Sequence, residues 1–244
     1  MIISKQNSLI KQIRSLEDKK NRDKLGVYLA EGTKLVNDAI LSGANVEVIV
    51  GVKNGLNAIK NLSNGSFRVE EVSEEVFKSI TTEVSPQGAL AVIKKPELEF
   101  SLPKSKSLLL DGVSDPSNVG AIIRTAAASG YKDVYLCETA DPFNPKSVRA
   151  SMGGVFKVNL YLVDREKFLN EINIPLIVAD MNGTNVYETK IGENFCIVIG
   201  NEGRGVSQQI KEKATLTVSI PMENQMESLN ASVSAGILMY LLKN

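Results

Sequence analysis

The sequence VIGNEGRGVSQQI, residues 198–210, places an apolar run before a glycine-rich turn and a polar segment of helical character. Similar apolar runs recur along the chain beyond residue 107. Near-continuous runs of this kind are typical of strands that are buried on both faces of a mostly parallel sheet. The region is therefore predicted to be α/β, and its other runs are LLLDGV, DVYLCE, FKVNLYLV, IPLIVADM and LTVSIPM.

The glycine-rich turn matches neither of the common phosphate-binding patterns. Gly200 and Gly205 have the spacing of a P-loop, but Val206 occupies the lysine position. The dinucleotide fingerprint also fails, because Gln208 stands where its third glycine belongs. Glu202 supplies an acid where a phosphate would otherwise lie. The turn therefore suits a ligand with hydroxyl, amine or cationic groups, and an ordinary strand-to-helix turn is the alternative.

A second polar loop, in LLLDGVSDPSNVGAIIRTA, leads into a predicted helix. Asn118 is expected to cap this helix, and Gly130 is expected to end it. Arg124 lies about 200° around the helix from Ile122, so its guanidinium is expected to face a cleft rather than the core. A helix cap and an ordinary surface arginine are the alternatives. The apolar stripe that predicts the helix consists of Val119, Ile122, Ile123, Ala126 and Ala127.

A third loop lies in SIPMENQMESLNASVSAGILMYLL, between the last apolar run and the last predicted helix. Ser228 and Asn230 stand at the start of that helix, where capping alone would explain them. In open α/β sheets, ligands bind beyond the carboxyl ends of the strands, so these three loops are the candidate site. The predicted apolar stripe of the last helix is Val233, Ile237, Leu238, Leu241 and Leu242.

Composition excludes several kinds of chemistry. The chain has no histidine, which removes Ser-His-Asp and Cys-His catalysis and most catalytic zinc sites. Cys137 and Cys196 form no CxxC pair, so no metal site or disulfide framework is expected, and reduced cytosol fits best. The amino terminus lacks the apolar core of a signal peptide, and AGILMYLL is too short to span a bilayer. No membrane association and a cytoplasmic location are therefore expected.

The length of 244 residues favours two modest domains. Residues 1–94 alternate helical and extended patterns, residues 95–106 form the best linker candidate, and residues 107–244 carry the three loops. The chain has 28 basic and 28 acidic residues, so any affinity for nucleic acid must be local. Residues 1–25 hold seven basic and three acidic side chains, a net charge of +4, which is either a solvated helix face or an RNA contact.

The three loops together resemble the ordered motifs of the SpoU/TrmH-type RNA 2′-O-ribose methyltransferases, in the SPOUT superfamily. The residues that carry the resemblance are DPSNVGAIIRTAAASG, VIGNEGRGVS and IPMENQMESLNASVSAGILMYLL. The segment NRDKLGVYLAEGTKLV is similar to the start of the family's L30e-like substrate-binding module. The resemblance implies an α/β protein with an amino-terminal L30e-like domain and a carboxy-terminal SPOUT domain that contains a deep trefoil knot. It favours the two-domain members that modify rRNA over the shorter ones that modify tRNA.

This resemblance implies a cofactor, a substrate and a set of site residues. The cofactor is S-adenosyl-L-methionine, S-adenosyl-L-homocysteine is the product, and the substrate is RNA, most simply 23S-type rRNA. A homodimer formed through the knotted domain is also implied. The catalytic positions are Arg124, Asn118, Glu202, Ser228 and Asn230, and the cofactor-binding positions are Gly200, Asn201, Gly203, Ile220, Met222 and Leu229.

The resemblance assigns Arg124 to activation of the ribose hydroxyl. Arginine has a pKa above about 12 and stays protonated in proteins, which makes it a poor base. Our hypothesis is that Arg124 clamps a phosphate beside the target ribose and stabilises the developing oxyanion, while a phosphate oxygen or water accepts the proton. Three alternatives remain open: a non-catalytic RNA-binding paralogue, a tRNA substrate, and a nucleotide-dependent enzyme with a degenerate phosphate loop.

Overall fold

A computed structural model describes residues 1–60, 62, 65–224, 226 and 228–242. The chain divides into two compact units. Unit 1 comprises Met1–Glu97 and Phe143–Phe156, and unit 2 comprises Leu98–Pro142 and Lys157–Asn244. Because unit 1 is built from two separate stretches of chain, this division has no single cut point. The boundaries at 94 and 107 therefore stay a prediction.

Strands and helices alternate along most of the chain. In chain order the strands are β1 (Val27–Glu31), β2 (Val46–Gly51), β3 (Arg68–Glu71), β4 (Ala89–Lys94), β5 (Ser107–Asp111), β6 (Asp133–Cys137), β7 (Asn159–Leu162), β8 (Leu176–Asn185), β9 (Cys196–Gly200) and β10 (Leu216–Ser219). The α-helices are α1 (Ser8–Ser15), α2 (Lys19–Leu25), α3 (Thr33–Leu41), α4 (Lys53–Asn57), α5 (Glu74–Lys78), α6 (Pro116–Ser129), α7 (Pro145–Ala150), α8 (Arg165–Glu171), α9 (Gln208–Lys213) and α10 (Ala231–Leu241).

Unit 1 is a four-stranded sheet covered by short helices, in the order β1-β4-β2-β3. Strand β4 is antiparallel to both β1 and β2, and β2 is parallel to β3. Strands β1 and β4 are buried almost throughout, because both are apolar and helices pack beside them. The predicted small α/β layer is confirmed.

The basic residues at the amino terminus serve in part to hold unit 1 together. Arg22 is fully buried and donates hydrogen bonds from one guanidinium nitrogen to the backbone oxygens of Leu16 and Glu17, each at 2.7 Å. Arg14 donates to the backbone and side-chain oxygens of Ser79. Burying a cation is costly unless its donors find acceptors, and here two backbone carbonyls accept from one nitrogen of Arg22. These two arginines are therefore structural.

Unit 2 contains a six-stranded sheet in the order β10-β8-β9-β5-β6-β7, and every neighbouring pair is parallel. The central strands β5 and β9 are buried along their length, and α6 packs against α10. The predicted parallel sheet is confirmed. From β5 the chain continues to β6 and β7 on one side and later returns to β8 and β9 on the other. This reversal puts the topological switch between β5 and β9, where α/β sheets bind ligands.

Residues of the predicted linker pack within unit 2. The Phe100 ring lies edge-on to Tyr135 and Tyr161, with centroid distances of 6.4 and 6.1 Å. The Tyr135 hydroxyl donates a hydrogen bond to the backbone oxygen of Ser101 at 2.7 Å. Part of the stretch from 95 to 106 is therefore anchored to the sheet by aromatic contacts.

Helix α6 has the predicted end but a different cap. Gly130 ends the helix in a left-handed conformation with φ +81°, as expected. Its amino-terminal cap is Asp115, whose carboxylate accepts from the backbone N–H of Ser117, and not Asn118. Pro116 explains the difference, because a proline fits the first helical position and moves the cap one residue upstream of itself. Asn118 is thereby left inside the first turn, with its amide free for other contacts.

The buried face of α10 differs from the predicted stripe. Val233 and Leu241 are exposed, at 49% and 38% of their surface. The helix is apolar on nearly all sides, so the spacing of apolar residues does not define a single face. Its most buried side chains, together with the residue that follows the helix, are Ala235, Leu238, Met239 and Leu242.

The cysteines, Cys137 and Cys196, are buried and form no disulfide. Among the described residues, no helix has both the length and the apolar character needed to cross a membrane. The threading of the carboxy-terminal segment into a knot stays a prediction.

Candidate functional site

The first feature of the site is the Glu202 carboxylate, which ties the turn after β9 to the loop after β5. One carboxylate oxygen accepts from the backbone N–H and the hydroxyl of Ser114, at 3.1 and 2.9 Å. The other accepts from the Asn118 side-chain amide at 2.9 Å and, more weakly, from the backbone N–H of Asp115 at 3.3 Å. The two loops at the switch point are thus joined by one carboxylate, which accepts four hydrogen bonds.

These donors decide the ionisation of Glu202. Partial burial raises its pKa, but the hydrogen bonds from Asn118, from the backbone of Glu202 itself and from the Ser114 backbone and hydroxyl outweigh burial and lower the pKa to about 2. Glu202 is therefore a carboxylate at neutral pH. A group with such a low pKa binds protons weakly, so it suits an electrostatic role better than that of a general base.

A second amide joins this cluster from α10. Asn230 caps α10 by accepting hydrogen bonds on its side-chain oxygen from the backbone N–H groups of Ser232 and Val233. Its side-chain nitrogen donates to the Asn118 side-chain oxygen at 3.0 Å. Asn230, Asn118 and Glu202 therefore form one chain of hydrogen bonds, which brings together residues from all three predicted loops.

The backbone of the turn after β9 is held by its own residues and by Gly112, the residue that follows β5. Asn201 exchanges backbone hydrogen bonds with Gly205, and its side-chain amide donates to the Gly112 carbonyl at 2.8 Å. A Cβ on Gly200 would lie 2.3 Å from backbone atoms of Gly205 and Val206, which only glycine avoids. The glycine at 200 is therefore needed because two parts of the backbone meet there.

A cavity of about 610 Å³ lies beside this turn, wholly within unit 2. Its walls come from the β8 and β9 ends, the turn, and the loop that leads into α10. Glu202 and Ser228 line it as well. So do all the residues that the sequence predicts as cofactor contacts: Gly200, Asn201, Gly203, Ile220, Met222 and Leu229.

The remaining predicted site residues do not line the cavity. Asn118 and Asn230 reach it through their hydrogen-bond chain to Glu202. Arg124 lies on α6, off the core as expected, but it is exposed and stands outside the cavity wall. It makes no hydrogen bond or ion pair with any residue that the structure describes. Its guanidinium is thus available to a partner from solution.

Sequence reasoning missed one wall of the cavity. Ala179, Asp180, Met181 and Asn182 follow the point where β8 stops pairing with β9, and Asp180 forms an ion pair with Lys211 at 2.6 Å. The apolar run in IPLIVADM predicts a strand whose carboxyl end lies at this edge. Applying the strand-end rule to that run as well would have found these residues.

Comparison with known proteins agrees with this geometry. Residues 105–240 match the model of the SpoU rRNA Methylase family, and residues 7–91 match the MRM3-like substrate binding domain. The first match covers more than half of the chain and contains the whole cavity. The chain belongs to the SpoU rRNA methylase family. This confirms the resemblance carried by the three motifs.

Several known proteins are similar to this chain over nearly its full length. The Bacillus subtilis 23S rRNA (guanosine(2553)-2′-O)-methyltransferase RlmP is 35% identical, with 99% of this chain and 98% of that protein covered. A TrmH-family structure from Porphyromonas gingivalis has a TM-score of 0.87 at 33% identity, with 99% and 98% coverage. An AdoMet-bound rRNA methyltransferase from Sinorhizobium meliloti has a TM-score of 0.87 at 28% identity, with 99% and 96% coverage.

Proposed function

We propose that this SpoU protein transfers a methyl group from S-adenosylmethionine to a ribose 2′-hydroxyl in RNA, most simply in 23S-type rRNA. The observation that carries the proposal is that one cavity is lined by every predicted cofactor contact and by the Glu202 carboxylate. The relatives named above as 23S rRNA and rRNA methyltransferases support the choice of substrate.

The cavity fits the cofactor in size, and Glu202 supplies a complementary charge on one wall. Its volume of about 610 Å³ falls within the range of small-molecule sites. S-adenosylmethionine supplies an electrophilic methyl group on a positively charged sulfonium. Glu202 lines the cavity and is anionic at neutral pH, so its charge is complementary to that cation. The glycines of the turn permit a ligand to approach its backbone closely.

Glu202 and the two asparagines organise the site rather than take the proton. The low pKa of Glu202 makes it a weak base for a ribose hydroxyl. Its carboxylate instead fixes the Asn118 amide, because the amide nitrogen donates to Glu202 while the amide oxygen accepts from Asn230. With both ends engaged, the Asn118 side chain has one orientation, which is the preorganisation that positioning catalysis needs.

Arg124 is proposed as the residue that holds the RNA. An exposed guanidinium with no partner among the described residues can form a bidentate pair with a phosphate. Binding the phosphate next to the target ribose would also place positive charge near the oxygen as it loses its proton. A phosphate oxygen or a water molecule then accepts the proton. Ser228, which lines the cavity and is exposed, is proposed to contact the same part of the substrate.

Unit 1 is proposed to bind the RNA outside the reacting nucleotide. Its match to a substrate-binding module supports this role. Lys11, Lys20 and Lys24 are exposed and form no ion pair with a described residue, unlike the arginines committed to the fold. If they contact phosphates, RNA affinity should fall steeply with salt concentration, and replacing all three by glutamine should flatten that dependence. An unchanged salt slope would contradict this part.

The protein is proposed to act as a homodimer in the cytoplasm. The exposed apolar side chains of α10 support an isologous interface, because a second copy of the chain could cover them. They are Val233, Tyr240 and Leu241. Sedimentation at micromolar concentration should give the mass of two chains. A single-chain mass would contradict the dimer without affecting the proposed chemistry.

The proposed activity is tested by methyl transfer itself. The protein is incubated with labelled S-adenosylmethionine and unmodified 23S rRNA, with unmodified tRNA in a parallel reaction. The modified nucleotide is then mapped by its resistance to alkaline cleavage, which requires a free 2′-hydroxyl. Label in the rRNA with one resistant linkage is the expected result. Label only in tRNA would correct the substrate, and RNA binding without cofactor binding would favour the non-catalytic paralogue.

A further inference from the structure

Asp111, the last residue of β5, is a buried acid that the proposed chemistry does not use. It lies at the switch point of the sheet, and only 2% of its surface is exposed. One carboxylate oxygen accepts the backbone N–H of Ser207 at 2.7 Å. The other accepts two guanidinium nitrogens of Arg165, at 3.0 and 2.9 Å. Neither Asp111 nor Arg165 lines the cavity.

Ser207 marks the end of the glycine-rich turn, because α9 begins at the next residue. The start of the same turn is held by the hydrogen bond from the Asn201 side chain to the Gly112 carbonyl, and its middle by Glu202. The end of β5 and the loop after it therefore fasten the turn at three points. The Asp111 anchor is the only one of these three that uses a charge removed from water.

Arg165 makes that anchor a firm one. A buried carboxylate is costly unless it is paired and hydrogen-bonded, and Arg165 meets both conditions from the start of α8. Arg165 also pairs with the exposed Glu138 at 2.8 Å. Its guanidinium is thus fixed from both sides, which fixes the orientation of the Asp111 carboxylate in turn.

We infer that Asp111 is a positioning residue for the methyl donor: held by Arg165, it sets the end of the turn that forms one wall of the cofactor cavity. The inference rests on the proposed function of that cavity. It predicts that weakening the anchor lowers affinity for S-adenosylmethionine while leaving the rate at saturating cofactor nearly unchanged. Replacing a residue that only supports the fold would lower the stability of the protein and would not change Kd while leaving kcat unchanged.

Ser207→Pro tests the anchor by removing its donor and placing the ring Cδ where the N–H pointed at the carboxylate, and Ser207→Ala, which keeps the N–H, is its matched control. Proline lacks the N–H that Asp111 accepts, and the φ of −61° at Ser207 is one that proline adopts. The Ser207 side chain makes no capping hydrogen bond, so its loss costs little. Losing one hydrogen bond to a charged group should raise the Kd for S-adenosylmethionine about tenfold. Asp111→Asn should give a similar increase, since the amide cannot satisfy Arg165 and the backbone N–H together.

The double variant makes the test specific. If Asp111 acts on the turn through the Ser207 N–H, Asp111→Asn combined with Ser207→Pro should bind the cofactor about as well as either single variant. Kd is measured by calorimetry with S-adenosylmethionine, and kcat at saturating cofactor with unmodified 23S rRNA. Glu193→Gln, which removes an exposed charge of unit 2 that makes no hydrogen bond or ion pair with a described residue, is the control and should keep the wild-type Kd. Melting temperatures of the free proteins confirm that each variant is folded.

The outcomes separate this inference from the proposed function. A wild-type protein that binds no S-adenosylmethionine overturns both. A wild-type protein that binds it, with a Ser207→Pro variant of unchanged Kd, overturns only the role of Asp111. Additive losses in the double variant, or a fall in kcat with Kd unchanged, would also overturn it, because either result means that Asp111 acts by another route.

Discussion

Replacing Glu202 by glutamine changes one charge at the centre of the site with almost no change in shape. The carboxylate accepts from two donors on Ser114 and from the Asn118 amide. A glutamine side chain has one oxygen, so it can accept hydrogen bonds either from Ser114 or from Asn118, but not from both as the carboxylate does. If that oxygen keeps Asn118, the new NH₂ group faces the Ser114 backbone N–H, and two donors meet.

The magnitude follows from the bonds that are lost. A hydrogen bond to a charged group contributes about 1.5–3 kcal/mol, and each 1.4 kcal/mol is about a factor of ten in an equilibrium or rate constant. Glu202→Gln should therefore reduce kcat/KM for methyl transfer about tenfold to hundredfold. The loss has two sources: a weaker hold on the Asn118 amide and the missing negative charge beside the cationic cofactor.

The assay is methyl transfer to unmodified 23S rRNA across a range of S-adenosylmethionine concentrations. Glu193→Gln is the matched control, since it removes one negative charge from an exposed position of unit 2 that makes no hydrogen bond or ion pair with a described residue. The control should keep wild-type kcat/KM. A Glu202→Gln variant that retains more than half of the wild-type value would refute the account of this carboxylate.

Three further predictions follow from the same geometry. Arg124→Lys keeps the charge but loses the planar guanidinium, so methylation should fall about tenfold or more. Cofactor affinity measured by calorimetry should stay unchanged. Near-wild-type methylation would rule out the phosphate clamp. Gly200→Ala would put a Cβ 2.3 Å from the facing backbone and should weaken cofactor binding more than about tenfold. Gly236→Ala is the control, because its Cβ would meet only a methyl group at 3.7 Å, and it should bind the cofactor normally. Equal affinities of the two variants would contradict the close backbone approach at Gly200. The pKa of Glu202 is lower in the folded protein than its unfolded value of 4.5, so the ionised carboxylate stabilises the fold. This contribution, about 1–2 kcal/mol after solvent screening at this exposed residue, should be present above pH 4.5 and be lost as the pH falls towards about 2. Denaturant unfolding of wild type and Glu202→Gln should therefore converge over that interval, and a constant difference would show that the charge is not responsible.

The sheet of unit 2 was predictable because the apolar sequence of its central strands indicates by itself that these strands are buried. The runs LLL at 108–110 and CIVI at 196–199 are apolar at every position, which is typical of burial on both faces. Gly130 likewise ends α6 through its backbone preference alone. The convergence of the three loops could be expected as well, since parallel strands bring their carboxyl ends to one edge.

What the sequence left undecided depends on contacts between distant residues. Asn118 has the chemistry of a cap, but Asp115 takes that place and leaves Asn118 to Glu202 and Asn230, 84 and 112 residues away. The buried face of α10 could not be read from a helix that is apolar nearly all round. Asp111 follows an apolar run, and its role depends on Arg165, which lies 54 residues further along the chain.

The most direct test of the central claim is a crystal structure of the protein with S-adenosylhomocysteine. The ligand should occupy the cavity beside the glycine-rich turn, in contact with the backbone around Gly200 and with Ile220 and Leu229, and with its sulfur on the side of Glu202. A ligand bound elsewhere on the chain, with this cavity filled only by water, would contradict it.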